Sequence, residues 1–110
     1  DYVQDVSVFI VSNYRLQILD LPLRQRILDV AIQFYRMARR FAIKNGDDTF
    51  DLRLALGLAR SFVTSTRFIL DKSLAKSMYM RSRYLIERVL EAQSNNGAKF
   101  RLPIEDILSD

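Results

Sequence analysis

A row of six apolar side chains, spaced by four, three, four, three and four residues, constrains this sequence most. The six residues are Leu23, Ile27, Val30, Phe34, Met37 and Phe41. This spacing places them on one face of a long helix, because an α-helix turns once per 3.6 residues. A second row, which widens the apolar face, consists of Leu28, Ala31, Tyr35, Ala38 and Ala42. We therefore expect both rows to be buried against two neighbouring helices, as in a helical bundle.

Capping and breaking residues divide the chain into four helical segments. Asp20 suits a helix N-cap and Pro22 suits a first turn, so a break separates the first segment from the second. Gly46 favours the end of the second helix, and Asp71 or Ser73 caps the fourth. The predicted helices cover about residues 2–19, 21–44, 50–70 and 73–93.

The first segment has two interpretations. Val3, Val6 and Ile10 follow helical spacing. The β-branched run at residues 6–11 is also typical of a buried strand. A lone strand would have no pairing partner elsewhere in this sequence, so we favour the helix.

The third segment carries two distinct rows. Its expected inner row is Leu52, Leu56, Ala59, Val63, Thr66 and Leu70. Beside this row, Gly57, Ser61 and Ser65 recur every four residues and carry almost no side-chain bulk. Small residues at this spacing predict the close approach of another helix backbone.

Together these segments predict an all-α protein. Short connections favour an up-down-up-down four-helix bundle over residues 1–97, followed by an extended tail at residues 98–110 with one helical turn. The tail holds apolar residues at positions 100, 102, 104, 107 and 108. Either it covers the open end of the bundle or it docks on a partner, in which case Phe100 and Leu102 are the candidate contacts.

The composition excludes most catalytic chemistry. The chain contains no His and no Cys, which removes the commonest general base, thiol nucleophiles and the usual zinc ligands. The carboxylate pairs at residues 47–48 and 105–106 lie at a cap and in the tail rather than facing another acid on a rigid element. We expect a non-catalytic protein with no metal site, no cofactor and, because no run of 18 apolar residues occurs, no transmembrane segment.

Six arginines form two clusters that are candidate partner contacts. They are Arg36, Arg39, Arg40, Arg53, Arg60 and Arg67. The last three recur every seven residues and so project from one side of the third helix. The first three lie near the end of the second helix, where the helix dipole also favours cations. Both clusters suit a protein complex with an acidic surface. The alternative is that these arginines cover apolar neighbours and keep their charged groups in water.

Aromatic and basic residues alternate in the fourth helix. Tyr79 and Tyr84 lie among Arg81 and Arg83, a pattern typical of surfaces that stack nucleic-acid bases, although Tyr also suits the rim of a bundle. No zinc finger, helix-turn-helix spacing or glycine-rich phosphate loop accompanies them. Two hypotheses stay open: an accessory or scaffold subunit that binds a larger protein assembly, and a basic bundle that binds nucleic acid without sequence specificity.

Short motifs distributed over residues 1–93 carry a family resemblance. They are Asp1-Tyr2-Val3-x-Asp5, Leu21-Pro22, Tyr35-Arg36, Thr49-Phe50, Ala55-Leu56, Leu58-Ala59 and Asp71-Lys72. In this order they resemble the small lumenal photosystem II assembly factors, which are four-helix proteins. The Gly-His-Tyr motif of that family's third helix and the proline-rich link before its fourth are missing here, so no binding residue is transferred. The resemblance implies an assembly factor bound to a photosystem II-type membrane complex in the thylakoid lumen; without it, we expect a cytoplasmic protein. Because the sequence starts at Asp1 rather than Met, we expect a processed or trimmed chain.

Overall fold

The protein is all-helical over the residues that the computed structural model describes, 2–16, 20–66, 71–94 and 100–109. The helices are α1 (Tyr2–Arg15), α2 (Leu21–Lys44), α3 (Phe50–Thr66), α4 (Lys72–Ser94) and the short α5 (Ile104–Ile107). The all-α prediction and the helical interpretation of residues 6–11 are therefore confirmed. The predicted extensions at residues 17–19 and 67–70 lie outside the described residues.

The predicted helix ends have the expected local chemistry. Asp20 and Asp71 each accept a hydrogen bond from the backbone N–H three residues later, at 3.2 and 3.1 Å. Asp71 rather than Ser73 thus caps α4. Pro22 lies in the first turn of α2, where its missing N–H leaves no helical hydrogen bond unmade. Gly46 follows α2 with a φ of 77°, a left-handed conformation that glycine adopts without steric cost.

Helix α3 lies at the centre of the core. It packs most extensively against α4 and next against α1, whereas α2 packs mainly against α1. The buried face of α3 consists of Phe50, Asp51, Leu54, Ala55, Leu58, Ala59 and Phe62. Its apolar members follow helical spacing, so α3 presents one broad apolar face to its neighbours.

The row at residues 23–41 of α2 faces outward, and the expectation that both rows of α2 would be buried is wrong. Five of its six members are exposed, and Ile27 is half-buried. The second row supplies the buried residues of α2, which are Leu28, Ala31, Tyr35 and Ala42. The two alanines let neighbouring helices approach closely on this side, and the described chain leaves the bulkier row largely uncovered.

Gly57, in the stripe of small residues on α3, faces the side chain of Ser7 on α1. A β-carbon placed on Gly57 would lie 3.4 Å from Oγ of Ser7 on α1. The predicted inner row of α3 is wrong at Leu56 and Val63, which are exposed. Ala59 of the same predicted row is buried as expected.

The tail folds back onto the helices. Its buried residues are Leu102, Ile104, Ile107 and Leu108. Arg81 of α4 holds its end, because Nε donates to the carbonyl oxygen of Ile107 at 2.7 Å and a second guanidinium nitrogen donates to that of Ser109. Tyr84 of α4 also donates to the Asp106 carboxylate at 3.2 Å. The tail thus contributes to the core of the chain itself.

Candidate protein-binding surface

The outward row of α2 forms a continuous apolar surface, which we call the α2 ridge. It consists of Leu23, Ile27, Val30, Phe34, Met37 and Phe41. The exposed fractions of its five exposed members range from 37% at Phe34 to 59% at Met37 and Phe41. At about 1.5 Å per residue, the ridge is about 27 Å long. Single exposed apolar residues are common on proteins, but a contiguous apolar surface is typical of a contact site.

Aromatic side chains of α1 border one side of the α2 ridge. The ring centroid of Phe9 lies 4.5 Å from that of Phe34, and Tyr2 meets Phe41 edge-on at 6.1 Å. Phe9 is half-buried and Tyr2 is exposed. A partner lying on the ridge would therefore also touch α1, and the contact surface spans two helices.

Cations border the other side of the α2 ridge. Arg26, Arg40 and Lys44 are exposed and, with Gln33, follow each other at spacings of seven, seven and four residues along α2. None of the three cations forms an ion pair with the part of the chain that the structure describes. Their charges are therefore accessible to a partner on the ridge.

The arginine cluster predicted on α2 divides between internal and external roles. Arg36 pairs with Glu105 of the tail, with 2.8 Å between Nη2 and Oε1. Nε of Arg39 donates to the carboxylate of Asp51 at 3.2 Å. Arg40 is exposed at the edge of the α2 ridge. Two of the three arginines thus bind carboxylates of the chain itself, and Arg40 is the member available to a partner.

The predicted arginine strip on α3 is occupied by internal contacts at one end. Arg53 pairs with Asp47 and lies 5.9 Å from the ring centre of Tyr2, whose hydroxyl donates to the same carboxylate. That hydrogen bond lowers the pKa of Asp47, and the charge of Arg53 contributes in the same direction. Arg60 is exposed, and Arg67 lies outside the described residues. Arg53 therefore contacts Tyr2 of α1, directly at its ring and through the Asp47 carboxylate that both residues bind.

A buried carboxylate connects α2, α3 and the tail. Asp51 of α3 accepts hydrogen bonds from the Tyr35 hydroxyl, at 3.0 Å to each oxygen, from Nε of Arg39 at 3.2 Å and from the backbone N–H of Leu102 at 3.0 Å. Burial, followed by the negative charge of Asp51, raises the pKa of Tyr35 well above its usual range. The Tyr35 hydroxyl therefore keeps its proton at neutral pH and acts as a donor.

The tail residues predicted to contact a partner lie against the chain itself. Leu102 is buried, so a partner has no access to its side chain in this conformation. Phe100 is half-buried and lines an open cleft of about 420 Å³ together with Arg39, Asp51 and Arg101. Leu102 therefore packs within the chain itself, whereas Phe100 stays a predicted partner contact.

The cleft beside Asp51 is lined by charges of both signs. Its walls carry both Asp47 and Asp48 and the cations Arg39 and Arg101, while three donors already engage the Asp51 carboxylate. Among the described residues, no three His, Cys, Asp or Glu side chains converge as a metal site would require. No helix among residues 2–16, 20–66, 71–94 and 100–109 has the length and apolar character needed to cross a membrane.

No protein-family model, curated protein or solved structure matches this sequence. The resemblance to the small lumenal photosystem II assembly factors therefore stays a prediction from short sequence motifs. The α2 ridge with its basic border is an apolar surface that the described chain leaves largely uncovered.

Arg26 is difficult to select as a contact residue from composition or clustering, because it lies apart from the arginine clusters, whereas Lys44 follows the α2 cluster by one helical turn. The available signal for Arg26 is its position relative to the apolar row. Arg26, Gln33 and Arg40 recur every seven residues beside a heptad-spaced ridge, as the flanking positions of a coiled coil do. Residues at such positions determine which partner helix is accepted.

Proposed function

We propose that this protein is a non-catalytic accessory or scaffold subunit that binds a larger protein assembly through the α2 ridge. The observation that carries this proposal is the row of five exposed apolar side chains, bordered by aromatic rings of α1 and by accessible cations. Covering apolar surface is favourable by about 25 cal/mol per Å², so a partner that fits the ridge gains affinity there. The lack of His and Cys supports a role without catalysis.

In this proposal the four long helices run up-down-up-down, as the short connection between α2 and α3 favours. The assembly is a protein complex with an acidic surface, complementary to the basic border of the ridge. A photosystem II-type membrane complex is one such assembly, and the motif resemblance supports it.

Nucleic acid is the alternative to a protein partner. Arg36, Arg39 and Arg53 pair with carboxylates of the chain, which reduces the positive charge available to phosphate groups. Phosphate contacts supply most of the affinity of proteins that bind nucleic acid without sequence specificity.

Site-specific photo-crosslinking in the native cells tests the proposal. A photoreactive amino acid at Met37 on the ridge should cross-link to one defined protein, whereas the same group at Lys76, exposed on α4, should not. Excess unlabelled protein should abolish the product, and excess Met37→Glu protein should not. Because Met37 is exposed, this variant should fold normally, which its circular dichroism spectrum checks. Cross-linking to nucleic acid alone, or the same products from both positions, would contradict the proposal.

A further inference from the structure

We infer that the segment that binds the α2 ridge is an amphipathic helix of another protein, with carboxylates along one flank. This inference rests on the proposed function and specifies the partner's chemistry. The ridge is about 27 Å long and its residues are spaced by four and three, which matches the apolar row of a second helix about five turns long. Helix-in-groove binding uses such rows as its anchors.

The two borders of the ridge orient the incoming helix. On one side the rings of Phe9 and Tyr2 extend the apolar surface onto α1. On the other side Arg26, Arg40 and Lys44 face solvent without ion pairs to the described chain. Asp29 is the nearby acid on this part of α2, and it accepts a hydrogen bond from Gln25. A partner helix should therefore place apolar residues toward α1 and its carboxylates toward the cations.

The tail already uses the same chemistry on another side of α2. Ile104 and Ile107 of α5 are buried, while Glu105 between them pairs with Arg36 of α2 at 2.8 Å. An acidic, apolar helical turn thus packs beside a basic position of α2 within this chain. A longer helix with the same alternation fits the ridge, where Arg26 and Arg40 occupy the equivalent basic role.

A second copy of this chain fits less well because its flanks repel. Antiparallel pairing of two ridges around position 32 would place Phe41 opposite Leu23 of the second copy, but it would bring Arg26 beside Arg40 of that copy at both ends. A parallel pairing would place Phe34 opposite Phe34 and Val30 opposite Val30, which makes layers of unequal width. An acidic flank removes the repulsion and keeps the apolar contact.

Two synthetic peptides test the inference directly on the full chain. Each has three heptads with Leu at the a and d positions; one carries Glu and the other Lys at the e and g positions. Fluorescence anisotropy should show tighter binding of the Glu peptide by about tenfold, because three contacts change from weak repulsion to weak attraction. The difference should shrink as NaCl rises from about 0.05 to about 0.5 M.

Charge-reversed variants assign the preference to this flank. The double variant Arg26→Glu and Arg40→Glu should prefer the Lys peptide. The control, Lys72→Glu with Lys76→Glu, makes the same change in net charge on exposed positions of α4 and should keep the preference for the Glu peptide. Met37→Glu should weaken the binding of both peptides, because it places a charge in the apolar row.

Each contrary result has a distinct meaning. Equal binding of both peptides would overturn the inference that the partner helix carries carboxylates along one flank. Sedimentation showing a dimer that Met37→Glu dissociates would identify a second copy as the occupant. If neither peptide binds while cross-linking from position 37 still yields one partner protein, the helical occupant is wrong and the proposed function stands. If neither peptide binds and cross-linking from position 37 yields no single partner protein, the proposed function is refuted as well.

Discussion

Asp51→Ala should lower the free energy of unfolding by about 3 kcal/mol. Two of its donors, the Tyr35 hydroxyl and the Leu102 N–H, belong to residues that are only 2% and 3% exposed, so water cannot replace the carboxylate. Each buried donor left without an acceptor costs about 1–3 kcal/mol. Arg39 has a 30% exposed side chain and can turn to water, so it adds little. Removing the buried charge recovers part of the loss, which leaves about 3 kcal/mol.

Urea unfolding followed by circular dichroism measures this loss, with Asp48→Ala as the matched control, since Asp48 is an exposed carboxylate in the loop just before α3. Hydrogen exchange adds a local measurement. The amide of Leu102 should lose protection in Asp51→Ala and keep it in Asp48→Ala, because Asp51 is its acceptor. A decrease in the free energy of unfolding of less than about 1 kcal/mol, or unchanged protection of the Leu102 amide, would refute the idea that Asp51 holds α2, α3 and the tail together.

Three further measurements test other parts of the fold. Gly57→Ala should raise the free energy of unfolding by up to about 1 kcal/mol, because alanine favours a helix more than glycine does. The added β-carbon would meet Oγ of Ser7 at 3.4 Å, which is an ordinary contact distance. A lower free energy of unfolding in this variant would contradict the prediction. Stability should fall as the pH rises above 10.0, the ordinary pKa of tyrosine, because the unfolded chain releases the Tyr35 proton while the folded chain retains it. Alkaline urea titrations of Tyr35→Phe should lack this part of the slope, about 1.4 kcal/mol per pH unit. A double-mutant cycle on Arg36 and Glu105 should give a coupling of about 0.5 kcal/mol or less, because their side chains are 43% and 73% exposed.

The helix ends could be predicted from the sequence because their chemistry is local. Asp20 and Asp71 bond to N–H groups three residues away, and Gly46 adopts its left-handed conformation just after α2. None of these features depends on a distant part of the chain. The packing of a neighbouring helix on the Gly57 side of α3 was also predictable, since a glycine leaves room there for a side chain such as that of Ser7.

The burial of α2 could not be predicted from periodicity alone. Both of its rows are apolar, so the spacing identifies two candidate faces without deciding between them. Side-chain size is the additional signal, because Ala31 and Ala42 suit close helix packing better than Phe34 or Met37 does. The role of Asp51 depends on contacts with Tyr35, 16 positions away, and Leu102, 51 positions away, which no local pattern encodes.

A pair of methionines separates the binding surface from the core. Met78 of α4 is fully buried, whereas Met37 of the α2 ridge is 59% exposed. Met78→Ala should therefore lower the free energy of unfolding by about 2–5 kcal/mol through lost burial and a cavity, while Met37→Ala should change it by less than about 0.5 kcal/mol. Urea unfolding of both variants measures the difference. Comparable losses would mean that the ridge belongs to the core, and the proposed binding surface would then have no physical basis.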